Sequence, residues 1–270
     1  MLKPKVIVMR ISNKAKPFVI FTRVIYALLL RELKTRFGEY RLGIIWVFME
    51  PLIQLGLFIT LLGYILKRVM PNVDYTIFAA SGILTWTMFK NVINRGITSI
   101  KANQALFAFP NVKPLDAFIA RALLEFLIYS IVYLVIGVTL IHLEYPVIFF
   151  KPLEFITCYI CTFLIGSGIG LTIMSISIIF QDITKIVGII LWGVYFISGV
   201  IFPIKMVPPE YRIWLTWNPM LHIMELTRMS LFPSFIGSIA NLSYIGICTL
   251  FIMFIGLNTY FLMRKRILLQ

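Results

Sequence analysis

The stretch LRELKTRFGEYRLGIIWVFMEP, residues 30–51, combines a surface-seeking segment with the start of a membrane span. Its first half is basic and amphipathic, and it ends in the polar turn Gly38-Glu39-Tyr40-Arg41. An apolar run begins at Leu42 and carries the pair Glu50-Pro51 about two turns further on. A charged side chain at the centre of a span costs about 2.5–3.5 kcal/mol on insertion scales. Glu50 is therefore expected to have a specific partner or a specific role.

The composition predicts a polytopic membrane protein with an all-α fold. Of the 270 residues, 60% are hydrophobic and 13% are charged, whereas soluble domains average about 45–50% apolar and about 25% charged residues. Because each span needs about 20 residues, the length allows six membrane helices with short loops. The predicted spans are residues 42–66, 75–93, 117–141, 155–180, 186–204 and 242–263, with cytoplasmic segments at 1–41 and 264–270.

The distribution of basic residues predicts that both termini lie in the cytoplasm. In that orientation eighteen lysines and arginines occupy cytoplasmic segments and six occupy outer segments, as the positive-inside rule requires. The net charge of +14 is then explained by loops near anionic lipid, and nucleic acid is not expected as a partner. No secretory signal peptide is expected, because the early apolar run Val24–Leu30 is short and flanked by arginines.

The sequence gives little support for enzyme chemistry. No Gly-Lys dipeptide occurs, so a Walker A phosphate loop is excluded and no ATP site is expected. His142 and His222 belong to no metal-binding or hydrolase motif. Cys158 and Cys161 lie one helical turn apart in an apolar run, and Cys248 lies in another. We expect all three cysteines to pack as small apolar side chains, and we expect no metal or cofactor in this chain.

An amphipathic helix is predicted from Pro17 to about Phe37, lying in the plane of the membrane surface. Its apolar residues recur every fourth position and form one face, with basic residues elsewhere. Glu32 and Arg36 have the i,i+4 spacing of a favourable intrahelical ion pair. The predicted apolar face consists of Phe21, Ile25, Leu29, Leu33 and Phe37.

Polar side chains share one face of the first predicted span, where Trp46, Glu50 and Gln54 recur at i,i+4 spacing and should point away from lipid. For Glu50, a hydrogen bond between helices of a dimer is the alternative to facing a solute. A second group lies at the end of the second predicted span. It consists of Lys90, Asn91, Asn94 and Arg95, whose cations suit an acidic polymer and a lipid phosphate equally well.

Two regions between the predicted spans contain short helices. Gln104–Phe109 precedes Pro110, and residues 205–238 contain a helix opened by Pro208-Pro209 and another capped by Asn218. The latter two helices are too short to cross a bilayer, so they are interfacial or re-entrant. Gly166 and Gly170 in the fourth predicted span suit close helix packing. Their position deep in an apolar run argues against a nucleotide-binding loop.

Three stretches resemble the ABC-2 type permeases that export polysaccharides. They are LLLRELKTRFGEYRLGIIWVFMEPLI (residues 28–53), SGILTWTMFKNVINRGITSIKANQALFAFPNVKPLDAFIARALLE (81–125) and SGVIFPIKMVPPEYRIWLTWNPMLHIMELTRMSLF (198–232). They lie in the family's order and cover most of the chain. The similarity is strongest to the inner-membrane subunits of capsular polysaccharide exporters, and permeases for O-antigen and teichoic acid are relatives.

The resemblance implies a homodimer that works with two copies of a separate nucleotide-binding ATPase subunit. ATP and Mg²⁺ would bind to that partner, and a lipid-linked polysaccharide would cross the bacterial inner membrane between the two protomers. A periplasmic adaptor and an outer-membrane export channel are further potential partners. The helix 17–37 and the loop 97–116 match the family's ATPase-coupling elements, and residues 205–235 match its short periplasmic helices.

The candidate site residues follow from these matches and from the chemistry of sugars, which offer flat CH faces to aromatic rings and hydroxyls to polar groups. The predicted translocation pathway comprises Trp46, Glu50, Gln54, Trp86, Phe89, Lys90, Asn91, Asn94 and Arg95. The predicted ATPase-coupling residues are Arg31, Glu32, Lys34, Arg36, Phe37, Asn103, Gln104, Phe109 and Asn111. The predicted periplasmic gate comprises Trp214, Trp217, Asn218, Pro219, His222, Glu225 and Arg228.

Other functions fit the same sequence. The aromatic residues could serve only packing or membrane anchoring, and an ABC-2 exporter of drugs or other small lipophiles would share the fold. A proton-coupled lipid or sugar flippase is the alternative from a different class. Such secondary transporters are expected to bury acidic residues at the midplane and to contain internal repeats. Apart from Glu50, the acidic residues here lie near span ends or in loops.

Overall fold

The computed structural model describes residues 17–37, 43–69, 74–109, 111–145, 150–232, 235, 237 and 240–267. The cytoplasmic tail predicted for residues 1–16 and the polar turn 38–41 lie outside these residues. Within them the chain forms ten α-helices and three short 3-10 turns, and it contains no strand. The all-α prediction is confirmed.

The helices follow one another with short connections. They are α1 (Pro17–Phe37), α2 (Gly43–Val69), α3 (Tyr75–Ile97), α4 (Ser99–Asn103), α5 (Pro114–His142), α6 (Pro152–Ile176), α7 (Ile183–Ile197), α8 (Pro209–Arg212), α9 (Pro219–Leu231) and α10 (Leu242–Ile267). The 3-10 turns are Gln104–Ala108, Ile204–Met206 and Ile213–Leu215.

Helix α3 forms the centre of the molecule. It is buried along almost its whole length and packs against α2, α5, α6 and α9. Asp74 caps its first turn by accepting a hydrogen bond from the backbone N–H of Thr76 (2.8 Å). Its two ends face different neighbours: Phe78 in the first turn meets α9, and Asn91 and Arg95 in the last turns meet α5.

Three glycines let α6 pack closely on two sides. A methyl group at Gly166 or Gly170 would lie 3.3 Å from backbone atoms of α3, which agrees with the close packing predicted for this pair. The intervening Gly168 faces α10 instead. There a Cβ would lie 2.8 Å from the carbonyl oxygen of Ile252, and one at Gly256 would lie 2.6 Å from the carbonyl oxygen of Gly168. Backbones at these distances leave no room for a side chain.

In the described part of the chain, four helices are long and apolar enough to cross a membrane: α2 over Ile45–Gly63, α5, α6 and α10. Helix α7 is apolar but has only 15 residues. Helix α3 has sufficient length, but its polar last turns lower its hydropathy. Because α3 is covered by protein, it does not need a lipid-compatible surface. The count of six spans therefore stays a prediction.

The observed boundaries correct several predicted ones. Helix α7 begins at Ile183 and ends at Ile197, whereas the predicted fifth span reached residue 204. It ends where Gly199, two residues further on, adopts a positive φ of 67°, a left-handed conformation that commonly terminates helices. Similarly, α6 begins at Pro152 and stops at Ile176 rather than at residue 180. The basic residues 264–266 belong to the last turn of α10 rather than to a separate tail.

The contact between α6 and α10 predicts that Gly168→Ala destabilises the protein. The added methyl group would force two helix backbones apart, at a cost of about 1–3 kcal/mol. The measurement is the thermal unfolding midpoint in a mild detergent. The control is Gly246→Ala on α10, where a Cβ meets nothing within 4 Å. Equal midpoints for the two variants would show that this contact does not limit stability.

Candidate functional site

A groove with a volume of about 310 Å³ lies between α2, α3 and α7. Its lining combines aromatic rings and aliphatic side chains with three polar groups. Four predicted pathway residues lie there: Gln54, Trp86, Lys90 and Asn94. The other lining residues are Ile53, Leu57, Phe58, Gly188, Leu191, Trp192, Tyr195 and Phe196.

Glu50 and Lys90 form an ion pair beside this groove. The Lys90 ammonium donates to a carboxylate oxygen of Glu50 at 2.6 Å. The two side chains are 28% and 41% exposed, for Lys90 and Glu50 respectively, so the pair lies at the surface of the helix bundle rather than in its core. Glu50 thus has a specific partner, and this partner is a lysine of the same chain.

The remaining predicted pathway residues do not line the groove. Phe89 is buried in the core, and Asn91 donates from its side-chain amide to the Tyr129 hydroxyl (2.6 Å) in the contact between α3 and α5. Trp46 is exposed on the outer surface of α2. Arg95, in the last turn of α3, directs its guanidinium to α5, where Nε lies 3.7 Å from the Glu125 carboxylate.

Sequence reasoning missed the aromatic wall that α7 contributes. Tyr195 makes an edge-to-face contact with Trp86, with 5.5 Å between ring centroids, and a tilted contact with Phe58 at 6.4 Å. Trp192 and Phe196 also line the groove. The signal was the i, i+3, i+4 spacing of three aromatic residues in an apolar helix, which places all three on one face.

At the end of the bundle that carries α1, the predicted intrahelical pair of Glu32 and Arg36 is wrong. The Glu32 carboxylate instead meets Arg121 of α5, with a distance of 2.9 Å to Nε. Arg36 bonds Glu125, one turn further along α5. Two charged pairs therefore connect α1 to α5. They form there because Glu125 is only 2% exposed, so its carboxylate requires a cation in contact with it.

Asn103 connects α4 to the same group of charges. Its side-chain amide donates to Glu32 (3.0 Å), and its side-chain oxygen accepts from Arg31. Asn103 is itself buried. The predicted coupling residues Arg31, Glu32, Arg36 and Asn103 thus contact the chain's own residues, and they are not available as a free docking surface in this arrangement.

Other predicted coupling residues remain accessible. Phe37 is half-buried beneath Arg36, and Lys34, Gln104 and Asn111 are exposed. Phe109 follows the 3-10 turn after α4, and its ring is 60% exposed. Together with Gln104 and Asn111, this ring gives the loop after α4 an exposed surface with both apolar and polar groups.

At the opposite end, the predicted gate residues divide into exposed and buried sets. Trp214 and Trp217 are exposed, as expected of residues at a membrane interface. Asn218 caps α9 by accepting from the backbone N–H of Met220 (3.0 Å), next to Pro219 at the first helical position. His222 donates from Nε2 to the carbonyl oxygen of Thr216 (2.8 Å).

Arg228 and Glu225 are buried on α9. The guanidinium of Arg228 donates to the carbonyl oxygens of Gly199 (2.7 Å) and Val200 (2.8 Å), and it stacks 3.5 Å from the ring centre of Phe78. Burial lowers the pKa of Arg228 to about 10, and the Glu225 carboxylate opposes that shift. The arginine therefore stays charged at neutral pH and satisfies the backbone that leaves α7.

None of the described residues forms a group of histidine, cysteine or acidic side chains that could hold a metal ion. The three cysteines have free thiols. The arrangement thus offers a groove with aromatic faces and hydrogen-bonding groups, an inward-facing charged network at one end, and a buried arginine at the other.

Comparison with known proteins identifies the class. Residues 23–232 match the family described as ABC-2 type transporter, and the chain belongs to that family, as its sequence indicated.

Among individual proteins, the chain is similar to the polysialic acid transport protein KpsM of Escherichia coli. The two are 37% identical over 87% of this chain and 91% of that protein. It is also similar to the capsule polysaccharide export inner-membrane protein CtrC of Neisseria meningitidis serogroup B, at 31% identity over 87% and 89%. The O-antigen export system permease protein RfbA of Myxococcus xanthus is 23% identical over 74% and 77%.

The buried contacts of Arg228 predict that Arg228→Lys destabilises the protein. An ammonium group cannot bond both carbonyls and stack on Phe78 as the planar guanidinium does. A buried acceptor left without a donor costs about 1–3 kcal/mol. Thermal unfolding in detergent measures the loss.

The matched control is Arg212→Lys. Arg212 also bridges two carbonyl oxygens, those of Val207 (2.7 Å) and Lys205 (2.8 Å), but it is partly exposed, so water can replace the lost bond. A drop in midpoint that is as large for Arg212→Lys as for Arg228→Lys would contradict the role assigned to burial.

Proposed function

We propose that this chain is the permease subunit of an ATP-driven exporter that moves a lipid-linked capsular polysaccharide across the bacterial inner membrane. The proposal is supported by similarity over 87% of the chain to proteins named for polysialic acid transport and capsule polysaccharide export. Family membership supports the transporter class, and the chemistry of the groove supports a sugar polymer.

The observation that carries the proposal is the combination of side chains in the groove between α2, α3 and α7. Trp86, Trp192 and Tyr195 present broad ring faces, which suit the CH faces of sugars and lose little rotamer entropy on contact. Gln54 and Asn94 supply amide donors and acceptors for hydroxyls. Several weak contacts of this kind favour a chain that slides over one that binds at a fixed position.

A second copy of the chain would complete the pathway. Over its apolar window α2 is only 11% buried, so much of this helix has no neighbour among the residues that the structure describes. Helix α7 likewise exposes Ile189 and Trp192. A homodimer that brings these faces together would enclose a pathway between the protomers, and Trp46 would face that interface or the pathway.

A separate ATPase subunit would supply the energy. The proposed contacts are Lys34 on α1 and the exposed loop residues Gln104, Phe109 and Asn111. ATP and Mg²⁺ would bind to two copies of that subunit. In the orientation that follows from the positive-inside rule, this end of the bundle and both termini face the cytoplasm, and α8 and α9 face the periplasm as a gate. A periplasmic adaptor and an outer-membrane channel would then continue the route.

If the groove carries a hydrated polymer, cysteines placed there should react with water-soluble thiol reagents. In a chain whose three native cysteines are replaced by alanine, Gln54→Cys and Asn94→Cys should react readily. Thr87→Cys on α3 is the control, because Thr87 is fully buried. It should react at least about tenfold more slowly, since buried groups become accessible only through local opening. Equal rates at the three positions would argue against the groove as the pathway.

An ATP-driven mechanism predicts that a Walker-motif ATPase copurifies with this chain from its native membrane in mild detergent, in equal amounts. Inactivating that ATPase should abolish export of the polymer, which is measured as polysaccharide reaching the cell surface. If export persisted and collapsed only when the proton gradient was dissipated, the proton-coupled flippase would replace the present proposal.

A further inference from the structure

The attachment of α1 to the rest of the molecule includes an apolar part and a charged part. Val24 and Leu28 pack with Ala120 of α5 in a small cluster distinct from the main core, which Leu106 and Val112 of the neighbouring loop complete. The charged pairs Glu32–Arg121 and Arg36–Glu125 form the other part. Phe37 at the end of α1 also packs against the main core, so the charged pairs act together with apolar contacts in holding α1.

The four charges have a second possible set of partners. Glu32 and Arg36 are four residues apart on α1, and Arg121 and Glu125 are four residues apart on α5. Residues at this spacing are neighbours on a helix surface and form ion pairs. Each charge can therefore find an opposite charge either across the interface, as in this structure, or on its own helix.

We propose that these four residues are positioning residues that let α1 part from α5 by exchanging partners. When the helices separate, Glu32 turns to Arg36, and Glu125 turns to Arg121 and keeps Arg95, already 3.7 Å away. No charge is left without a partner in either state. A pair with no such alternative would lose its whole attraction on separation, whereas each i,i+4 pair here recovers part of it.

Asn103 connects the loop after α4 to this exchange of partners. Its amide bonds Glu32, the same carboxylate that Arg121 holds, and its side-chain oxygen bonds Arg31. Displacement of the loop that carries Phe109 would therefore shift Glu32 relative to Arg121 through a single side chain. The inference rests on the proposed ATPase partner only for the source of that displacement; the exchange itself is a property of this chain.

The test swaps one interhelical pair. In Glu32→Arg with Arg121→Glu, the attraction across the interface is retained. In the separated state, however, the new arginine on α1 lies beside Arg36 and the new glutamate on α5 lies beside Glu125, so both intrahelical pairs become repulsive. The control, Glu32→Gln with Arg121→Gln, replaces the same two positions and removes the charged contact between them, but it adds no repulsion.

The readout is the reaction of Ala120→Cys, which is fully buried under α1, with a water-soluble thiol reagent in membranes, in a chain whose native cysteines are replaced by alanine. The swapped pair should react about five- to tenfold more slowly than the unswapped chain, as expected when two attractive i,i+4 pairs become repulsive, and more slowly than the Gln control. A swapped pair that reacts as fast as the unswapped chain, or faster, would overturn the proposal.

A second variant keeps the proposal testable if the swapped chain does not reach the membrane. A disulfide between Leu28→Cys and Ala120→Cys would lock α1 onto α5. Export should stop under oxidising conditions and recover on reduction, and full export through the locked chain would overturn the proposal. The thiol-reaction test involves neither polymer nor ATP, so its outcome is independent of whether the proposed transport function holds.

Discussion

The burial of α3 is the constraint on which the rest of the structure depends. This helix lies among α2, α5, α6 and α9 and is covered along nearly its whole length. Because protein covers most of its surface, it can carry Lys90, Asn91 and Arg95 in its last turns at a lower cost than a lipid-facing helix could. Each of these side chains meets a different neighbour: α2, α5 and the charged network. One protein-covered helix thus lines the groove and also directs Arg95 toward the charged network through which α1 is attached.

Much of the fold was accessible from the sequence, because helix termini carry local signals. Pro17, Pro114, Pro152 and Pro219 each begin a helix in the structure, since proline suits the first helical turn and needs no donor there. The Asn218 cap was predicted and is present. The end of α7 was missed, because it depends on Gly199, whose conformation is not specified by residue type alone, and on the distant Arg228 that holds the carbonyls beyond it.

The residue types of the candidate site were predictable from the sequence, but the directions in which their side chains point were less so. Gln54, Trp86, Lys90 and Asn94 share the groove, whereas Phe89 and Asn91 face the core. On a helix that is buried all round, sequence periodicity cannot separate the side facing a groove from the side facing a neighbour. Charge pairing raised a similar difficulty. The i,i+4 spacing of Glu32 and Arg36 fits an intrahelical pair, but tertiary packing offered each residue a less hydrated partner on α5.

The ion pair between Glu50 and Lys90 has a consequence for small ions. Lys90 is the one charged residue that lines the groove in the described part of the chain, and Glu50 neutralises it. An inorganic ion that entered would find no uncompensated fixed charge to replace its hydration shell, and the surrounding aromatic and aliphatic walls would leave most of the dehydration cost unmet. A chain of uncharged hydroxyls faces no such barrier. In the proposed pathway, this groove would therefore oppose small ions more strongly than a chain of hydroxyls.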